Sequence, residues 1–125
     1  MDQWVYQCQG VGIAHGLSYK ATNGFIGITA NREIVLFDNQ GREFERGPVD
    51  AIKVKVNGAF GNSIRVNGKR YALSFVPVTA SYIVGNALTY GAHGNATGDT
   101  QRQRAIAAQF KDVVTRIQSG QPLQG

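Results

Sequence analysis

The chain has 125 residues, 42% of them apolar and 17% charged, with only 3 prolines. That length supports one core and leaves little for a second, and the composition excludes a disordered tail. Thirteen Lys and Arg against eight Asp and Glu make a formal charge of +5; the basic residues are scattered, with no run that reads as a nucleic-acid arm or polybasic anchor, so charge alone names no partner.

Cys8 is the only cysteine, which excludes an intrachain disulfide and a thiolate metal cage within one chain, and makes a reducing, cytoplasmic location the simplest expectation. The opening Met1-Asp2-Gln3-Trp4-Val5 lacks the basic and apolar regions of a secretory signal, and no apolar run is long enough to span a bilayer, so neither export nor a transmembrane segment is expected.

Residues 4–14 alternate loosely, with Trp4, Tyr6 and Cys8 on one parity and Val11 and Ile13 on the other; a strand with a glycine bulge near Gly10 reconciles them. A polar loop around His15-Gly16-Leu17-Ser18 follows, and Asn23-Gly24 predicts a turn before the strand Phe25-Ile26-Gly27-Ile28-Thr29. Arg32 to Phe37 reads as a strand ending in a hairpin turn at Asp38-Asn39-Gln40-Gly41, and Arg42-Glu43-Phe44-Glu45-Arg46 as a charged edge strand stopped by Gly47-Pro48.

In residues 49–56, Ile52, Val54 and Val56 alternate with Lys53 and Lys55, the pattern of a half-buried strand. Ser63-Ile64-Arg65-Val66 and Tyr71-Ala72-Leu73-Ser74-Phe75-Val76 flank Asn67-Gly68, the clearest hairpin signal in the chain. These add up to seven strands over residues 4–76, an antiparallel barrel or sandwich. Residues 77–98 read as an insertion or flexible connection; within them 79–90 fit either a short helix or a packed loop.

Ile106, Phe110, Val113, Val114 and Ile117 recur at the spacing of one helical face, predicting an amphipathic helix over 99–119 that plugs the open end of the barrel. Thr100 and Gln103 have the capping-box form, Gly120 and Pro122 supply a stop, Arg102, Arg104, Gln109 and Arg116 populate the wet side, and 120–125 form a tail. The whole chain is thus expected to be a single, mainly β domain closed by one C-terminal helix.

The run from Gly24 to Asp38, the late strand Tyr71-Ala72-Leu73-Ser74-Phe75 and the C-terminal helix together resemble the pleckstrin-homology-like superfold, in particular its bacterial and GRAM-like members. The resemblance spans nearly the whole chain and departs from the pattern between Val78 and Asp99, where such domains pass quickly from last strand to helix. It implies a binding scaffold, which serves lipid, peptide and structural roles alike. Members that bind phosphoinositides gather cations around the first strand-to-strand loop; here that loop offers His15 and Lys20 only, which argues against specific head-group recognition.

No HExxH, phosphate loop, Gly-x-Ser-x-Gly or tuned carboxylate pair occurs; His15 and His93 lie beside glycines, and Cys8 falls in a strand, so no catalytic residue, metal or cofactor is expected. The first functional expectation is a non-catalytic module binding a protein or peptide, or a second copy of itself, at a strand edge or beside the helix, with Arg42, Phe44, Arg46, Tyr82 and Tyr90 as partner contacts. The alternative is peripheral attachment to anionic membrane lipid through Lys20, Lys53, Lys55, Lys69 and Arg70. Single-stranded nucleic acid, stacking on Tyr71, Tyr82 and Tyr90, ranks third.

Overall fold

The computed structural model describes residues 3–58, 61–75 and 97–120, without the side chains of 97–100. Among the described residues, seven strands, β1 (Trp4–His15), β2 (Ser18–Thr29), β3 (Glu33–Phe37), β4 (Glu43–Pro48), β5 (Lys53–Gly58), β6 (Gly61–Val66) and β7 (Lys69–Ser74), precede the helix α1 (Thr97–Gln118); a 3-10 turn, Val49–Ala51, joins β4 to β5. All seven strands pair antiparallel in one sheet of order β4-β3-β2-β1-β7-β6-β5. The mainly β domain with one C-terminal helix is therefore as expected.

Local chemistry explains most of the strand boundaries. Asn67 and Gly68 both take positive φ, 53° and 80°, the backbone that a two-residue hairpin requires, and they set Val66 opposite Lys69. Asp38 accepts the backbone N–H groups of Gln40 and Arg42 on Oδ1 and closes the β3–β4 reversal. Gly10, at φ 73°, lies at the register shift between Gln9 and Val11, and Cys8, Val11 and Ile13 all reach the core. The Gly10 bulge expected from the parity change is present.

Two expectations about the strands are corrected. Asn23-Gly24 does not end a strand: β2 runs through it, and the reversal falls at Gly16-Leu17 with Gly16 at φ 63°. Asn39, from the β3–β4 turn, accepts the N–H groups of both Thr22 and Asn23 on its side-chain oxygen and holds that stretch extended. A Cβ on Gly24 would lie 2.5 Å from the Phe37 carbonyl oxygen, so the glycine serves close strand approach instead of a turn. Trp4 does not share a face with Tyr6 and Cys8, because a second register shift, between Trp4 and Tyr6, turns it to the other side of the sheet.

The inner face of the sheet and α1 enclose one core. Phe110 of α1 is fully buried, with its ring centroid 5.9 Å from that of Tyr6 and 5.6 Å from that of Phe75; Ala107, Val114 and Ile117 are buried beside it. The helix begins earlier than expected, so Thr100 lies inside it; Gln103 accepts the Phe75 N–H at 2.8 Å and ties the end of β7 to the helix. At the other end of α1, Gln118 donates to the carbonyls of Val49 and Ile52, and Arg32 donates to the Ile117 carbonyl while pairing with Asp50. A cation on a C-terminal carbonyl also suits the helix dipole.

β4 is drawn to the β6–β7 hairpin by a buried carboxylate. Glu45 accepts hydrogen bonds from the Tyr71 hydroxyl at 2.6 Å and Asn67 Nδ2 at 2.7 Å, with Lys69 Nζ 3.3 Å away. Burial opposes its ionisation, but those three donors and the Lys69 charge prevail and hold its pKa below the usual glutamate value. Burial first, and then Glu45, push the Tyr71 phenol in the opposite direction, upward. The sheet thus curls until one margin meets the far hairpin through side chains.

Candidate functional site

The outer face of β5, β6 and β7 carries a row of cations set by strand register. Val54 faces Ile64, which faces Tyr71, all turned inward; one residue away Lys53 faces Arg65, which faces Arg70, all three exposed and turned outward. Lys55 projects from the same face, opposite Ser63. Like charges directly opposite each other on adjacent strands oppose sheet formation by a few tenths of a kcal/mol or more per pair. None of the four cations has an acidic partner among the described residues, and the one further contact in the group is a 3.4 Å bond from Arg65 to the Gly68 carbonyl.

Charge along the chain is segregated in the same sense. Residues 51–98 contain five Lys and Arg and no Asp or Glu. By contrast, the β3–β4 half is neutralised internally: Arg46 pairs with both Glu33 and Glu43, Arg42 with Asp38 and Arg32 with Asp50.

Of the basic residues expected to meet an anionic surface, the structure brings Lys53, Lys55 and Arg70 together. Lys69 stands opposite inward-facing Val66 and reaches Glu45. Lys20 is exposed in β2, two strands away from β7. Arg65 is absent from the expected set, although a signal for it exists: a two-residue Asn-Gly turn that pairs Val66 with Lys69 necessarily pairs Arg65 with Arg70.

The expected partner contacts are differently placed. Phe44 is half-buried and packs on Tyr71, with ring centroids 6.0 Å apart, Arg46 is engaged by two carboxylates, and Arg42 is exposed beside Asp38. Tyr82 and Tyr90 lie outside the described residues. Tyr71, expected to stack on bases, is 3% exposed and committed to Glu45.

Both margins of the sheet are obstructed. At β4 the Arg46 carbonyl accepts from Asn67 Nδ2 at 2.8 Å, and a Cβ on Gly47 would come within 2.9 Å of Val66. Along β5 the helix packs, and Asn57 Nδ2 donates to the Arg104 carbonyl. A ligand strand adding to either margin must displace these contacts.

Cys8 is buried, and burial raises its thiol pKa, the reverse of what activates a nucleophile. Among the described residues no three His, Cys, Asp or Glu side chains gather where they can hold a metal ion, and no helix is long and apolar enough to cross a membrane. No family model, curated protein or solved structure matches the chain.

Proposed function

We propose that the chain is a non-catalytic, pleckstrin-homology-like binding domain that attaches peripherally to anionic lipid surfaces through the outer face of β5, β6 and β7. The observation that carries the proposal is the transverse row Lys53, Arg65 and Arg70, with Lys55 beside it and no acidic partner among the described residues. Lipid is favoured over single-stranded nucleic acid because Ser63 and Ala72, the neighbours on that face, provide no ring on which a base stacks. It is favoured over peptide addition because each sheet margin is obstructed.

Each cation near an anionic surface contributes roughly 1 kcal/mol, so four supply about 4 kcal/mol, about a thousandfold in partitioning. That magnitude suits reversible attachment. Co-sedimentation with phosphatidylcholine vesicles, and with vesicles that also contain phosphatidylserine, at low and physiological salt tests it directly. Binding is expected to the anionic vesicles only and to weaken with salt. Arg65→Glu changes the local charge by two and is expected to weaken partitioning roughly thirtyfold, whereas Arg42→Glu, on the neutralised half, leaves it near the parent value. Equal binding to both vesicle types, equal loss with the two variants, or displacement by a single-stranded oligonucleotide overturns the lipid reading.

A further inference from the structure

The outer face of β1, β2 and β3 carries a different feature. Trp4, Phe25 and Phe37 lie outside the main core, half-buried, and meet edge to face with ring centroids 5.6, 5.9 and 5.3 Å apart. Two local irregularities make this cluster. The register shift beside Val5 turns Trp4 outward, and Gly27 leaves room for its indole, since a Cβ there would run into the ring. The cluster forms one wall of an open groove of about 490 Å³, whose other lining residues include Gln9, Asn23, Asp38 and Asn39.

The lining contains no Lys or Arg and one acid, which disfavours an anionic ligand. A quaternary ammonium needs separated rings that surround it, each centroid within about 6 Å of the cation; here the rings touch one another. A polyproline helix repeats every three residues, about 9 Å, and calls for aromatic slots at that separation; here the three rings form one patch. A single pyranose fits better. Its C–H face lies on an aromatic surface while its hydroxyl groups need amides and carboxylates around the rim. The side-chain amides of Gln9 and Asn23 have no hydrogen-bond partner among the described residues, so both retain donors and an acceptor.

We propose that this groove binds one sugar residue of a neutral glycan, with the Trp4 cluster as the stacking surface and Gln9 and Asn23 as the hydroxyl-binding groups. The site is separate from the basic face and does not depend on lipid attachment. Trp4 is the only tryptophan in the chain, so intrinsic fluorescence reports the groove directly. The full chain is titrated with maltohexaose, cellohexaose, chitohexaose and a proline-rich peptide. At least one oligosaccharide is expected to shift the Trp4 emission saturably at millimolar concentration, and the double variant Gln9→Ala/Asn23→Ala to weaken that binding about tenfold. Both positions are exposed, so the variant is expected to keep the parent's circular dichroism. Three results overturn the proposal: no response to any of the saccharides, saccharide binding unchanged in the double variant, or a response to the peptide alone.

Discussion

Replacing Glu45 by Leu tests how the sheet margin is held. Glu45 is the shared acceptor for Tyr71 at 2.6 Å and Asn67 at 2.7 Å, with Lys69 at 3.3 Å. Of these donors, Asn67 retains a bond to the Arg46 carbonyl and Lys69 is exposed enough to turn to water, but the Tyr71 hydroxyl has its one hydrogen bond here and is buried. Leaving that hydroxyl without a partner costs about 1–3 kcal/mol, and the loss of bonds to a charged acceptor adds to it, so Glu45→Leu is expected to destabilise the fold by about 2–4 kcal/mol. Tyr71→Phe alone is expected to cost about 1.5–3 kcal/mol. In the double variant the orphaned hydroxyl is gone, so the combined loss should fall short of the sum by about 1–2 kcal/mol. Equilibrium urea unfolding of the four proteins measures this cycle. Strict additivity, or a Glu45→Leu variant as stable as the parent, refutes the account.

The same group sets a pH dependence. Its folded pKa lies below the ordinary glutamate value of 4.5, so its stabilisation is complete above that pH and is lost as pH falls through the lower folded value; the urea midpoint should drop with acidification, and less steeply in Glu45→Gln. Asp38, likewise lowered, chiefly by the Arg42 backbone N–H, contributes in both proteins and leaves the difference intact. Phe110→Ala removes the fully buried ring between Tyr6 and Phe75; a loss of about 3–5 kcal/mol is expected in the same unfolding assay. Gly27→Ala drives a methyl into the Trp4 ring and should cost about 1–3 kcal/mol while shifting the tryptophan emission; unchanged emission contradicts the placement of Trp4.

Local physics was legible from the residues alone. The Asn67-Gly68 and Asp38–Gly41 reversals, the Gly10 bulge and the apolar stripe of α1 each depend on a few neighbouring residues, so pattern and turn chemistry located them. The β5 alternation correctly set Lys53 and Lys55 outward for the same reason.

Lateral register and curling of the sheet lay beyond that reach. Asn23-Gly24 stays extended because Asn39, distant in sequence, occupies the N–H groups a turn would have used. Gln103 meets Phe75, for only the folded chain sets that free backbone group beside it. Glu45 carries a charge that marks a solvated edge in any linear reading, and it is buried because the sheet folds β4 onto the β6–β7 hairpin, where three donors offset the loss of water. Side-chain parity along one strand is a property of the sequence; which residues from different strands share a row, or a groove, is decided by pairing and bulges, since each one-residue shift turns the rest of the strand to the opposite face. The cation row and the Trp4 cluster both belong to that second kind.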